Sequence, residues 1–145
     1  ILTKAVDLRT GGSSVSQVAP GGSVGILTSL DPSIVKADSL AGSVVGLCNK
    51  LPTVWHELRL ETHLLGRVVG AKDELVVEPI KRAEPLMINV NSAATVGVVS
   101  EIGKDSIACK LKLPVCAYPG SRVTISRLLG SRWRLIGYCV ILDKK

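Results

Sequence analysis

A chain of 145 residues is long enough to bury a hydrophobic core of its own. Hydrophobic residues make up 46% of the sequence and charged residues 21%, and no run approaches the ~18 consecutive apolar residues of a membrane-spanning helix. This composition excludes a disordered tail and a helical membrane protein. The net charge of +6 is unevenly distributed along the chain. Residues 1–103 carry nine Lys/Arg and ten Asp/Glu, whereas residues 104–145 carry nine Lys/Arg and only two Asp/Glu.

The apolar residues favour β-structure. The chain has 19 Val and 10 Ile, with 14 Gly, 7 Pro and no Phe. Abundant β-branched residues between Gly and Pro are typical of short strands joined by tight turns. We therefore predict an all-β protein, with a partial β-barrel followed by a six-stranded antiparallel β-barrel.

Residues 1–51 read as an incomplete barrel. Strands are predicted at 4–8, 24–27 and 43–47, between glycine-rich or proline-rich interruptions at 11–14 and 20–22. So few strands leave open edges unless strands from elsewhere complete the sheet. We place the domain boundary at Leu51-Pro52, which gives domains 1–51 and 52–145. Between two of these strands, residues 31–38 have turn chemistry and predict a loop.

From residue 54 the sequence alternates with period two, as in a strand with one solvated face. One parity is apolar (Val54, Leu58, Leu60, Leu64) and the other polar (Glu57, Arg59, Glu61, His63). Further strands are predicted at 86–90, 96–99, 107–113, 122–127 and 132–142, the third with Leu111 and Leu113 facing inward. Turns are predicted at 103–105, 119–120 and 130–131, and Pro114 is expected to end its strand. Strands repeating at this interval predict a small closed barrel.

The sequence lacks the common catalytic signatures. It contains no G-x-x-x-x-G-K-[ST], G-x-S-x-G or H-E-x-x-H motif. The spacing of Cys48, Cys109, Cys116 and Cys139 does not build a zinc site, and we expect buried, reduced thiols. No catalytic or metal-binding residue is assigned, and no cofactor is expected in this chain.

The beginning of the chain is also informative. No basic and apolar leader opens it, so we expect a cytoplasmic protein without a membrane partner. The first residue is Ile1 rather than Met. We therefore expect this chain to be part of a longer protein.

Three strings carry a family resemblance: PGGSVGILTSLDPSIVKADSLAGSVVG at 20–46, WHELRLETHLLGRVVG at 55–70 and PVCAYPGSRVTISRLLGSRWRLIGYCVI at 114–141. Together they resemble the gamma subunit of archaeal and eukaryotic translation initiation factor 2, a relative of elongation factor Tu. The resemblance implies a three-domain GTPase. This chain would contain two parts of that GTPase: the second half of the domain II barrel and a barrel of the elongation factor Tu domain III type.

The resemblance also implies a function. The family forms a heterotrimer with alpha and beta subunits and carries initiator methionyl-tRNA to the small ribosomal subunit in a GTP-dependent way. Its nucleotide-binding domain would precede this chain, so GTP and magnesium are expected only with that domain and this chain is not expected to be an enzyme. The implied partners are initiator methionyl-tRNA, small-subunit ribosomal RNA, and the alpha and beta subunits.

The resemblance, together with the placement of the basic residues, nominates candidate site residues, and the arginines among them occupy basic positions of the family. The candidate RNA contacts are Lys36, Lys110, Lys112, Arg122, Arg127, Arg132 and Arg134, and the candidate partner-docking loop contains Asp31, Lys36 and Asp38. Gly130, Trp133 and Gly137 match structural positions of the last strand. Relatives usually carry Gly-Pro or Gly-Gly pairs where this chain has Cys48-Asn49, and glycine at Asn91, which marks both as turn sites.

Three alternatives stay open at this point. The barrels could be a purely structural interaction module, whose arginines make intramolecular ion pairs and whose charge serves solubility. They could belong to a related elongation factor, either selenocysteine-specific or Tu-like. A stand-alone enzyme would instead show a deep pocket lined by titratable groups.

Overall fold

The computed structural model describes residues 1–19, 21–70 and 75–143, so Pro20 of the predicted 20–22 interruption lies outside the described residues. The chain divides into two compact units, Ile1–Leu40 and Ala41–Lys145. Strands dominate both units, which confirms the predicted all-β class.

The first unit contains a three-stranded antiparallel sheet. Its strands are β1 (Ala5–Thr10), β2 (Ser13–Val15) and β3 (Gly25–Thr28), in the order β2-β1-β3. Gly11 and Gly12 both have positive φ, at 55° and 83°, and they form the hairpin turn between β1 and β2. β1 and β3 were predicted from the sequence, whereas β2 was not, because its short polar sequence carries no apolar alternation.

Two predictions for the first 51 residues are wrong. Residues 43–47 form no strand, since Val45 and Leu47 lie exposed in an irregular segment without a pairing partner. Residues 31–38 form two short helical turns, α1 (Pro32–Val35) and a 3₁₀ turn (Lys36–Asp38). The Asp31 carboxylate accepts the Ser33 N–H at 2.8 Å and so caps α1, and proline is well tolerated in a first helical turn.

The second unit holds a closed six-stranded antiparallel barrel, as predicted. Its strands are β4 (Thr53–Leu64), β5 (Pro85–Val90), β6 (Ala93–Ile102), β7 (Ser106–Ala117), β8 (Arg122–Leu129) and β9 (Arg132–Ile141). They close in the order β4-β7-β6-β5-β8-β9. The barrel is filled by side chains with no exposed surface, among them Leu58, Leu60, Leu86, Ile88, Ile125 and Ile136.

A bulge changes the parity of β4. The pairing of β4 with β7 shifts between Trp55 and Glu57, so Trp55 turns inward and donates its Nε1–H to the Ala117 carbonyl at 2.9 Å. Val54 is consequently 53% exposed, and its predicted inward position is wrong. Leu64, at the other end of β4, is 40% exposed.

The same bulge explains why Pro114 does not end β7. Val115 pairs with Trp55 and Lys110 pairs with Glu57, so residues 111–114 lie opposite little more than His56. Because this stretch needs few ladder bonds, proline costs little there. The Thr95 hydroxyl replaces the backbone pairing of Leu113: it donates to the Leu113 carbonyl at 2.9 Å and accepts a hydrogen bond from the Leu113 N–H at 3.0 Å. Leu113, predicted to face inward, is exposed.

The cysteines were only partly predicted. All four are free thiols, but Cys48 is exposed and Cys116 half-buried, so the expectation of burial holds only for Cys109 and Cys139. Burial in the barrel raises the pKa of both Cys109 and Cys139 to about 12. These two side chains act as small hydrophobic residues of the core.

The domain boundary predicted at Leu51-Pro52 stays a prediction. Residues 41–52 group with the barrel, where the Tyr118 hydroxyl donates to the Lys50 carbonyl at 3.3 Å. The two turn sites implied by the resemblance have the expected backbone, since Asn49 and Asn91 have φ of 62° and 52°. Glycine is favoured at such left-handed positions, and asparagine tolerates them.

Candidate functional site

The barrel topology divides the basic candidates between two sides. β7 and β8 are three strands apart in either direction around the six-stranded ring, so they lie on opposite sides. Lys110 and Lys112 belong to β7, whereas the arginines at 122, 127, 132 and 134 belong to β8 and β9. A single basic face containing all of these side chains is therefore ruled out, and Lys36 belongs to the first unit.

The side chain of Arg127 is largely buried at one end of the barrel. It pairs in register with the fully buried Leu86, so its side chain starts on the inner face. Its Nε and Nη2 donate to the two carboxylate oxygens of Glu84 at 2.5 and 3.2 Å, and further N–H groups donate to the Glu78 and Pro79 carbonyls at 3.0 and 3.2 Å. Both charged side chains are only 14% exposed. Arg127 thus has the intramolecular role expected by the structural alternative.

Arg132 and Arg134 lie at the same end of the barrel, where the turn at 130–131 joins β8 to β9. Arg134 pairs in register with Arg127, and its Nη1 lies 2.9 Å from where a Cβ on Gly70 would stand. Arg132 is exposed. Within the described residues, neither guanidinium has a carboxylate within ion-pair distance. The exposed Arg132 therefore offers its charge to an outside ligand, whereas Arg134 is half-buried.

Arg122 lies at the opposite end of the β8–β9 hairpin, about 23 Å from Leu129 along the strand. Its guanidinium carbon is 4.8 Å from the centre of the Tyr138 ring. Tyr138 in turn stacks on His63, with ring centres 4.7 Å apart and planes inclined by 14°. His63 Nε2 lies 3.0 Å from Glu61 Oε1. His63 thus lies on the solvated face of β4, as predicted, but with aromatic and acidic partners.

The lysines of β7 have a different environment. Lys110 stands directly opposite Glu57 of β4 in the register, which places opposite charges side by side on the sheet surface. Near it, an open groove of about 500 Å³ is lined by Glu57, Arg59, Glu101 and Asp143 with Trp55, Ala108 and Leu142. Carboxylates are the majority of its charged groups, so this side of the barrel is less suited to a polyanion than the hairpin side.

The predicted docking loop is shaped by its own residues. The Ser33 hydroxyl and N–H bind the Asp31 carboxylate and hold the pKa of Asp31 below its usual range. Lys36 and Asp38 are exposed. Ala37 and Asp38 have φ of 56° and 55°, a left-handed conformation that few non-glycine residues adopt. Asp31 therefore builds the turn, and Lys36 and Asp38 are the side chains that it presents.

Three participants were missed by sequence reasoning. Glu84 binds an arginine 43 residues away, Thr95 replaces a ladder bond 18 residues away, and Tyr138 contacts both neighbouring strands. Local patterns carry no signal for such long-range pairs. Only the strand order and register place them together.

Within the described part of the chain, no helix is long and apolar enough to cross a membrane. The same residues include no group of three or more His, Cys, Asp or Glu side chains arranged to hold a metal ion.

Comparisons with known proteins agree with this fold. Two solved structures resemble the chain: a bacterial selenocysteine-specific elongation factor (TM-score 0.66, 100% of this chain and 21% of that one) and translation elongation factor SelB from Methanococcus maripaludis (TM-score 0.61, 99% and 34%). Each is 16% identical to this chain, which shows a shared fold alone.

Sequence relatives are closer. The chain is 59% identical over 143 residues to translation initiation factor 2 subunit gamma from Pyrococcus furiosus, covering 99% of this chain and 35% of the relative. The corresponding proteins of Methanothermobacter thermautotrophicus and Methanococcus maripaludis are 55% and 50% identical over 92% and 98% of this chain, and 33% and 35% of their own lengths. The chain thus spans about a third of these relatives.

The family profile described as "Initiation factor eIF2 gamma, C terminal" matches residues 56–141, which include nearly all of the barrel. With the barrel topology and the relatives, this match shows that the chain belongs to the family of initiation factor eIF2 gamma C-terminal domains.

Proposed function

We propose that this chain is the non-catalytic C-terminal part of an initiation factor 2 gamma subunit, which as a whole delivers initiator methionyl-tRNA to the small ribosomal subunit in a GTP-dependent manner. The archaeal relatives named as that subunit support the proposal over nearly the whole chain. On this proposal GTP and magnesium bind in another part of the protein, and this chain does not hydrolyse GTP. The open sheet β2-β1-β3 is then the second half of a domain II barrel.

Within that role, the barrel contacts RNA through its β8–β9 hairpin. The observation that carries this step is charge: residues 122–142 contain four arginines and no Asp or Glu. Arg127 is internal, but Arg122, Arg132 and Arg134 have no carboxylate partner among the described residues. Uncompensated guanidinium groups along one edge favour binding to a phosphate backbone.

The test is a salt titration of binding to initiator tRNA by the whole chain. We expect affinity to fall steeply with salt concentration, and Arg132→Ala with Arg134→Ala to weaken binding and reduce the salt slope by about 1–2. Lys110→Ala with Lys112→Ala, on β7, which neighbours neither β8 nor β9, is the matched control and should change the affinity and the salt slope less. Affinity that is independent of salt, or equal losses in the two double variants, would contradict the RNA role of the hairpin.

The first unit serves subunit docking through the turn at 31–38. Its exposed Lys36 and Asp38, held in an unusual backbone conformation, support a contact with the alpha subunit. In a pull-down with the alpha subunit, Lys36→Ala with Asp38→Ala should lose the complex, whereas the exposed Lys4→Ala should keep it. Retention of the complex by the double variant would contradict this docking site.

The same two assays separate the proposal from a purely structural module. A chain that binds the alpha subunit but shows no salt-dependent RNA binding is the interaction module of the alternative. The Arg127–Glu84 pair favours a purely structural role for one arginine only, Arg127. The other three arginines of the hairpin are the reason for preferring an RNA contact.

A further inference from the structure

A stack of three side chains crosses the outside of the barrel on neighbouring strands. His63 of β4, Tyr138 of β9 and Arg122 of β8 follow one another, with 4.7 Å between the two rings and 4.8 Å between the Tyr138 ring and the guanidinium carbon. Tyr138 is therefore held between an aromatic ring and a cation. Such contacts restrict the rotamers of Arg122 before any ligand is bound.

The charge of Arg122 is not neutralised by its neighbours. Arg122 pairs with Val140, and Val140 pairs with Glu61, so Glu61 is two strands, or about 10 Å, away. Glu61 already lies beside His63. On the other side, Asn89 pairs with Thr124, which brings the uncharged Asn91 into line with Arg122. No carboxylate of the described residues lies within ion-pair distance of Arg122.

The geometry leaves the binding edge of the guanidinium free. The guanidinium carbon of Arg122 lies 4.8 Å from the centre of the Tyr138 ring, and its N–H donors make no hydrogen bond or ion pair with the described residues. A planar fork of N–H groups matches the oxygen atoms of a phosphate in a bidentate arrangement. Arg122 is exposed and at the opposite end of the hairpin from Arg132, so a ligand that contacts both carries negative charge over about 23 Å.

We propose that Arg122 binds a phosphate of the RNA backbone, and that Tyr138, backed by His63, is a positioning residue that orients the guanidinium. This inference rests on the RNA role proposed above and assigns it a second contact point, at the end of the hairpin away from Arg132 and Arg134. It predicts that the ring of Tyr138 matters for binding and that its hydroxyl does not.

The test uses the whole chain and a labelled RNA hairpin of 16 base pairs, titrated at several salt concentrations. We expect Arg122→Gln to reduce the salt slope by about 1 and to weaken binding severalfold at low salt. Tyr138→Leu should cause part of the same loss, and Tyr138→Phe should bind like the original chain. Combining Arg122→Gln with Tyr138→Leu should cost no more than Arg122→Gln alone, because Tyr138 acts through Arg122.

Three results would overturn the proposal. If Arg122→Gln keeps the full salt slope of RNA binding while the variants at 132 and 134 have a reduced slope, Arg122 does not contact the phosphate and the proposed function stands. If the unmodified chain shows no salt-dependent binding to the RNA hairpin, the Arg122 contact and the proposed RNA role are both wrong. If poly-glutamate competes as well as RNA at equal charge, the site selects acidic protein rather than phosphate. Thermal unfolding of each variant confirms that the barrel is intact, and Lys112→Gln serves as a charge-matched control.

Discussion

At the Arg127–Glu84 pair, two charges are held where only 14% of each side chain meets solvent. Glu84 also accepts the Lys81 N–H at 2.8 Å, so its carboxylate ties together the loop before β5 and the end of β8. Removing one member of such a pair leaves the other charge buried without compensation. The pair therefore fixes the barrel end rather than offering a ligand site.

Glu84→Gln should accordingly destabilise the chain by about 3 kcal/mol, measured as the free energy of unfolding in urea. Glu78→Gln is the matched control, because Glu78 pairs with Lys81 where both side chains are at least 70% exposed. That variant should lose less than about 1 kcal/mol. Equal and small losses in both variants would show that Arg127 is not held by Glu84 in solution.

The buried thiols predict a dependence of stability on alkaline pH. Cys109 and Cys139 keep their protons in the folded chain because burial raises their pKa to about 12, whereas in the unfolded chain they ionise near the ordinary value of about 8.5. The unfolded state thus loses protons first, and stability falls as pH rises above that value. Replacing both residues with alanine should make the decline between about pH 9 and 11 shallower in urea unfolding. An unchanged pH profile would contradict their buried, neutral state.

At the scale of elements, the junction of β9 with β4 closes the barrel and depends on Gly137. A Cβ at this position would lie 2.5 Å from the His63 carbonyl oxygen and 3.1 Å from Leu64 Cα, both of which are backbone atoms. Neither can move aside as the end of a flexible side chain could. Gly137 is therefore required by the close approach of two strands.

Gly137→Ala should destabilise the barrel by about 1–3 kcal/mol in chemical denaturation. Gly66→Ala is the control, since nothing lies within 4 Å of its Cβ position and its backbone is not in the left-handed region. It should cost well under 1 kcal/mol. If both substitutions prove equally mild, the β4–β9 contact is looser than described.

The strands were largely predictable from sequence because alternation records which face is buried. It located β5, β8 and β9 closely, as in the alternation of Leu86, Ile88 and Val90. It failed where the ladder is irregular, because a bulge inverts parity at Val54 and a hydroxyl substitutes for backbone pairing near Pro114. It also placed a strand at 43–47, since an apolar run does not reveal whether a pairing partner exists.

At the scale of the whole molecule, the charge asymmetry of the sequence was informative, but its placement was not. Nine of the 18 basic residues lie after residue 103, yet only the strand order shows that β7, with its lysines, lies opposite β8 and is separated from β9 by β4. Burial further separates Arg127, which is only 14% exposed, from the exposed Arg122 and Arg132. The basic candidates thus reduce to the hairpin 122–141, with its two ends about 23 Å apart.

We propose that the β8–β9 hairpin is the side of the barrel that faces RNA. The most direct measurement is the change in backbone amide NMR shifts when the isotope-labelled chain is titrated with initiator tRNA. We expect shift changes concentrated in β8, β9 and the neighbouring His63, with β7 nearly unaffected. Changes concentrated around Lys110 and Lys112, or spread evenly around the barrel, would contradict it.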